Sequence, residues 1–85
     1  MKIAGWEVPQ ALIDGVAAEL CQETFDAGTV RIVAATSHLM PTGVQSNWYI
    51  REEIGTRLID HFKRAGKIEK VPGTRRWRWI KGEKS

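Results

Sequence analysis

The chain has little cysteine, no long apolar run and no linker-like segment. Its one cysteine, Cys21, excludes an internal disulfide framework and indicates a reducing, cytoplasmic compartment. No stretch approaches the roughly 18 apolar residues of a membrane-spanning helix, and Glu7 interrupts the apolar N-terminus early. Neither a membrane protein nor a signal peptide is predicted. The absence of Gly/Ser-rich stretches favours one domain over residues 1–81, followed by a flexible tail at 82–85.

Residues suited to catalysis or metal binding are not grouped in the sequence. His38 and His61 do not form a metal-ligand spacing with Cys21, and the neighbouring Ser37 has no acid or base placed beside it. There is no glycine-rich phosphate loop. The sequence therefore predicts no enzyme, no cofactor and no metal site.

What the chain does have is positive charge concentrated at one end. The formal net charge of the 85 residues is +3, but residues 1–44 sum to −3 and residues 45–85 sum to +6. Between His61 and Lys81, eight basic residues accompany one acid, Glu69. A domain with one basic end attracts polyanions such as nucleic acid. A solvated basic face is the alternative interpretation.

Three helices are predicted before residue 66. Apolar residues at helical spacing place the first over about Pro9–Glu23. Asp26 is a candidate N-cap for the second, over about Ala27–Leu39, although the β-branched run Thr29–Val33 also fits a strand. The third is expected over about residues 46–65, where apolar residues recur every four positions and a glycine follows the cationic last turn.

Three residues of these helices carry packing expectations. Gly55 lies inside the third helix, where glycine costs up to about 1 kcal/mol relative to alanine, so a close helix crossing is expected there. Cys21 lies on the apolar stripe of the first helix and is expected to be a buried small hydrophobe. Trp48, at the start of the third helix, is expected in the core.

The segment after Gly66 predicts a β-hairpin. Two runs of alternating residues, Lys67–Val71 and Arg76–Ile80, flank a Pro-Gly turn at residues 72–75. The expected register pairs Ile68 with Trp79, Glu69 with Arg78 and Lys70 with Trp77. Alternation of side chains along the second strand then directs Trp77 and Trp79 to the core. It directs Arg76 and Arg78 to solvent or to a ligand.

The junction from Leu58 to Trp79 resembles the end of the recognition helix and the wing of winged helix-turn-helix proteins. Leu58, Phe62, Gly66 and Ile68 stand where that pattern places its apolar pair, its helix-ending glycine and its first strand residue. The resemblance covers about residues 54–80 and indicates no single family. It implies an α+β winged-helix fold, with three helices followed by a C-terminal two-stranded hairpin. The link at residues 40–46 is longer than a tight helix-turn-helix turn.

In such proteins the third helix enters the major groove of DNA and the wing touches the backbone or minor groove. The candidate DNA contacts on the helix are Asn47, Tyr49, Arg51, Glu52, Thr56, Arg57 and Lys63. Those on the hairpin are Lys70, Thr74, Arg75, Arg76 and Arg78. The alternatives are a solvent-facing helix with pairs such as Glu53 with Arg57, and a charged hairpin edge that deters aggregation.

Two functions remain open at this point. The first is a small protein that binds duplex DNA, such as a transcriptional regulator or a phage-type accessory factor. The second is a winged-helix module for protein–protein interaction, such as a phage inhibitor of a host complex, without intrinsic DNA binding; RNA or single strands are a further ligand class. Since one such module has a small footprint on DNA, a homodimer or protein partner is expected through the acidic N-terminal half.

Overall fold

The computed structural model describes residues 1–21 and 24–80. Within them the chain forms an α+β structure with four helices and two small antiparallel sheets. The helices are α1 (Gln10–Leu20), α2 (Ala27–Ala35), α3 (Thr42–Gln45) and α4 (Trp48–Arg64). The strands are β1 (Lys2–Ile3), β2 (Trp6–Glu7), β3 (Ile68–Lys70) and β4 (Trp77–Trp79). The α+β class is as expected, but the number of elements was wrong, since a short helix and a second hairpin are added. The expected tail at 82–85 lies outside the described residues.

The N-terminal hairpin, which the sequence analysis missed, closes on a two-residue turn. Ala4 and Gly5 both have positive φ, 51° and 85°, as a type I′ turn requires. Lys2 pairs with Glu7 and Ile3 pairs with Trp6 across the two strands. The hairpin thereby places Ile3 in the core, where it is fully buried.

Local capping decides that residues 27–35 are helix rather than strand. The Asp26 carboxylate accepts the backbone N–H of Thr29 at 2.8 Å, which is the expected N-cap of α2. The helix ends at Ala35, before the expected Leu39. At that end the Ser37 hydroxyl accepts the N–H of Leu39 and forms a local turn that replaces the helical bonding. The expected end of the first helix, Glu23, lies outside the described residues, and α1 ends at Leu20.

The longest helix, α4, matches its predicted bounds to within two residues. The Asn47 side chain caps its start by accepting the N–H groups of Tyr49 and Ile50. Gly66, with φ of 73°, follows its end as expected. The buried residues of α4 are the expected stripe of apolar residues spaced by four, together with Gly55 and Ile59. The stripe consists of Ile50, Ile54, Leu58 and Phe62.

The close helix crossing predicted at Gly55 is confirmed. Gly55 is buried where α4 crosses α2, and a Cβ added there would overlap the carbonyl oxygen of Ala27. The same added atom would lie 3.1 Å from the Cβ of Arg31. The backbones of α2 and α4 therefore touch at this position, and glycine is the residue that permits it.

The C-terminal hairpin (residues 68–79) has the predicted register in all three pairs. Trp77 and Trp79 are half-buried, and the Trp79 ring packs edge-to-face on Phe62 with centroids 5.1 Å apart. In addition, Trp77 exchanges two backbone hydrogen bonds with Phe25, of 2.6 and 2.9 Å. The hairpin is thus joined to the segment that precedes α2.

Two predictions of burial were wrong. The Trp48 side chain is 72% exposed, because it lies about two helical turns before the α2–α4 crossing at Gly55 and borders a groove between the two helices. Cys21 is also exposed, because α1 ends there and the thiol turns back to donate to the Ala18 carbonyl oxygen. Neither residue contributes to the core.

We expect Gly55→Ala to lower the free energy of unfolding by about 1–3 kcal/mol, because the added methyl overpacks the α2–α4 crossing. Gly15→Ala is the matched control, since Gly15 lies inside α1 with open space around an added Cβ. It should raise the free energy of unfolding by about 0.5–1 kcal/mol through helix propensity. Urea unfolding followed by circular dichroism measures both changes. Stabilisation by both substitutions would contradict the close crossing.

Candidate nucleic-acid interface

Arg76 ties the C-terminal hairpin to the start of α2. Its Nε donates to the Thr24 hydroxyl at 2.8 Å, and its Nη2 donates to the Thr24 carbonyl oxygen at 2.7 Å. Its Nη1 lies 3.5 Å from Oδ2 of Asp26. With the Phe25–Trp77 backbone pair, three consecutive residues before α2 each contact the hairpin. Arg76 was predicted to contact DNA, but its donors are engaged within the chain and it orients the hairpin.

The Asp26 carboxylate serves two elements at once. Its pKa lies below the ordinary value, first because it accepts the backbone N–H of Thr29, then because it accepts the Thr29 hydroxyl, with a smaller effect from the Arg76 guanidinium. The charged form of Asp26 is therefore favoured in the folded state. One side chain caps α2 and faces the arginine that holds the hairpin.

Three further predicted contact residues are held in ion pairs within the chain. The pairs and their N···O distances are Arg78–Glu69 at 2.6 Å, Glu52–Arg31 at 2.6 Å and Arg57–Glu53 at 3.4 Å. The last is the pair that the helical spacing predicted. Exposed pairs of this kind contribute about 0–1 kcal/mol to stability, but each one neutralises a charge that would otherwise act on a polyanion.

Two more predicted contact residues make local backbone bonds. Asn47 caps α4 with its side-chain oxygen, as described above. The Thr74 hydroxyl donates to the Val71 carbonyl oxygen at 2.8 Å and accepts the N–H of Arg76 at 3.0 Å. Both side chains shape the backbone, a role that side-chain chemistry alone did not indicate.

Two of the remaining cations converge on one tryptophan ring, where α4 ends beside the hairpin. Lys63, in the last turn of α4, has its Nζ 5.8 Å from the centre of the Trp77 ring, and Lys70, on β3, has its Nζ 5.2 Å from the same centre. Arg75 is exposed in the hairpin turn. None of the three makes an ion pair with another residue of 1–21 or 24–80. We call Lys63, Lys70 and Arg75 the basic edge.

The structure does not bring all predicted contact residues into one patch. Arg51 lies near the other end of α4, about 18 Å along the helix axis from Lys63. Tyr49 and Thr56 are exposed, and because they are spaced seven residues apart they lie on one line of the helix with Lys63. The exposed Lys67, at the start of the hairpin, was missed, although it belongs to the same basic run of sequence.

Comparison with protein-family models, with curated proteins and with solved structures gives no match to this chain. Over residues 1–21 and 24–80, no three His, Cys, Asp or Glu side chains are grouped to hold a metal ion. In the same described part of the chain, every helix is too short or too polar to cross a membrane.

We expect Arg76→Ala to lower the free energy of unfolding by about 1–2 kcal/mol, because it removes two hydrogen bonds from a charged group to Thr24. Arg75→Ala, which removes the same charge from the neighbouring position, should stay within about 0.5 kcal/mol of the wild type. Thermal unfolding measures both, and amide hydrogen exchange at Trp77 reports whether the hairpin has loosened. Equal effects of the two substitutions would contradict the role assigned to Arg76.

The charge of Asp26 should make stability depend on pH in one direction. Because its folded-state pKa is depressed, the contribution is fully present above the ordinary pKa of 3.8 and is lost as the pH falls through the folded value. Asp26→Asn retains a side-chain oxygen to cap α2 but removes the titrating group. The wild type should therefore exceed this variant in stability at pH 7, and the difference should shrink on acidification. A difference that does not change with pH would contradict this assignment.

Proposed function

We propose that this protein binds duplex DNA, with the basic edge against the sugar–phosphate backbone. The observation that carries the proposal is the convergence of Lys63 and Lys70 on the Trp77 ring, which places one Nζ from a helix and one from a hairpin 5.8 and 5.2 Å from the same ring centre. Ammonium and guanidinium groups without carboxylate partners are the groups that neutralise phosphates. The Trp77 ring limits where the two lysine side chains extend.

The distribution of charge supports phosphate contact at this end of the molecule. Residues 63–78 carry seven basic side chains against one acid, whereas residues 27–53 carry two of each sign. A polyanion therefore meets an attractive field at the hairpin and the last turn of α4, and a nearly neutral surface at the first turn of α4.

The order of elements supports a winged-helix arrangement for this function. Two packed helices, α2 and α4, are followed directly by an antiparallel hairpin whose register matches the expected wing. In this arrangement the exposed line of Tyr49, Thr56 and Lys63 on α4 faces a groove while the hairpin reaches along the backbone. The N-terminal hairpin and α3 are additions to the three helices and wing.

The experiment is fluorescence anisotropy of a labelled random-sequence DNA duplex at several salt concentrations. Lys70→Gln with Arg75→Gln removes two cations of the basic edge. Lys2→Gln with Arg31→Gln is the matched control, because it removes the same charge from the other end of the chain. We expect the first double variant to bind at least about tenfold more weakly at low salt, and to reduce the slope of log affinity against log salt by about 1.8. The control should keep the slope of the wild type.

Three outcomes would overturn the proposal or change its ligand. Absence of binding by the wild type at low salt would exclude general duplex binding, since phosphate contacts persist under that condition. Equal weakening of both double variants would assign binding to net charge rather than to the basic edge. Stronger competition by single-stranded DNA or RNA than by unlabelled duplex would move the assignment to another nucleic acid. If nothing binds, a protein-interaction module becomes the better function.

A further inference from the structure

The exposed apolar side chains lie at the end of the molecule opposite the basic edge. Among the described residues, the large apolar side chains that are exposed are Trp48 at 72%, Ile32 at 59%, Tyr49 at 44% and Leu39 at 37%. Residues 36–50 contain no Asp, Glu, Lys or Arg. Exposed apolar side chains grouped at one end of a molecule are typical of a protein–protein contact.

Two of these side chains line a groove between α2 and α4. Ile32 and Ala35 form its α2 side, and Trp48 and Arg51 form its α4 side. Beyond the tight crossing at Gly55, α3 lies beside this end of the two helices, where the Gln45 side chain donates to the Ala35 carbonyl oxygen at 2.6 Å, and the groove is the part that stays open. The Trp48 ring borders the groove and is largely exposed, and it meets the Tyr49 ring edge-on at 6.5 Å between centroids. The protein therefore presents an exposed indole beside an open groove.

The charges around the groove favour an aromatic occupant. At one end Glu52 is already bonded to Arg31 at 2.6 Å, so this pair is neutral. Arg51 lines the groove and makes no ion pair with any residue of the described ranges. A guanidinium without a carboxylate partner, beside apolar side chains, is suited to stacking on the face of an aromatic ring.

We propose that the groove is occupied by a second copy of this chain, in a two-fold dimer in which each copy inserts its Trp48 ring between Ile32 and Arg51 of the other. A two-fold contact uses the same patch on both copies, so the patch must be self-complementary. An exposed indole next to an open groove, with a guanidinium that has no ion-pair partner among the described residues on its wall, meets that condition. This inference goes beyond the proposed function and does not depend on it.

The charge distribution favours a second copy over a partner of another kind. Identical copies repel where their charges are alike; here Arg31 and Glu52 cancel, and the one uncompensated charge of the groove, on Arg51, faces the indole of the other copy. The like-charged basic edges begin about 22 Å along α4 from Trp48, beyond the screening length of about 8–10 Å at physiological salt. A strongly basic partner would find no complementary charge on the patch, and a strongly acidic one would use Arg51 but leave the Trp48 indole without a partner.

The test is the mass of the full-length chain in solution, measured by light scattering on size-exclusion chromatography from micromolar to near-millimolar concentration. We expect the mass to rise from 9.6 kDa towards twice that value. Trp48→Ser should remain monomeric over the whole range. Arg51→Gln removes two cation–π contacts from a two-fold dimer and should weaken association about thirtyfold, since each contact contributes roughly 1 kcal/mol. Leu39→Ser is the matched control, since it removes another exposed apolar side chain that does not line the groove.

A second variant distinguishes loss of the dimer contact from misfolding of Trp48→Ser. Ile32→Glu places a carboxylate where the Trp48 ring of the second copy would pack, and should also give a monomer, with an unchanged circular dichroism spectrum. A wild type that is monomeric at every concentration would overturn the proposal, as would dimers of undiminished strength in Trp48→Ser. Duplex titration of the same variants separates the two proposals. Loss of DNA binding in Trp48→Ser, with a monomeric wild type, would assign the groove to DNA instead.

Discussion

The close approach of α2 and α4 at Gly55 fixes the position of the other elements. The buried stripe of α4 is part of the common core, and its Phe62 packs against Trp79 of the C-terminal hairpin. The residues immediately before α2 bind the C-terminal hairpin through Thr24 and Phe25. A wider crossing would carry those residues away from the hairpin. The orientation of the basic edge therefore depends on Gly55, where the two helix backbones leave no room for a Cβ atom.

The sequence was most informative where local chemistry and burial agree. The hairpin register followed from alternating tryptophan and arginine around a Pro-Gly turn, and Asp26 marked the start of α2, although the sequence left a strand open over Thr29–Val33. The N-terminal hairpin was missed because its strands have two residues each and its turn is Ala-Gly, without the Asn or Asp that usually marks this turn type. Trp48 was misplaced because helical spacing does not show whether the neighbouring helix lies close enough at that level to cover the ring.

The candidate site was predictable in composition but not in its internal partners. A count of charges located the basic end of the chain, and that holds in the structure. The predicted register had already set Arg78 opposite Glu69, and the two form an ion pair at 2.6 Å. The count did not show that Arg76 is bonded to a residue 52 positions away. Such a contact between distant residues follows from tertiary packing, which residue type does not encode. The structure thus separates cations bonded within the chain from cations that have no ion-pair partner among the described residues.

The bond between Arg76 and Thr24 has a kinetic meaning as well as a geometric one. It closes a loop of 52 residues, whereas the helices and the hairpin form from neighbours in sequence. Elements of that kind form in microseconds, so this contact is expected to form after the local elements that it joins. In the reverse direction, the hairpin leaves the helices only when the contacts at Thr24 and Phe25 and the packing of Trp79 on Phe62 have all opened. A ligand that spans the hairpin and α4 would retain the docked form and slow that release.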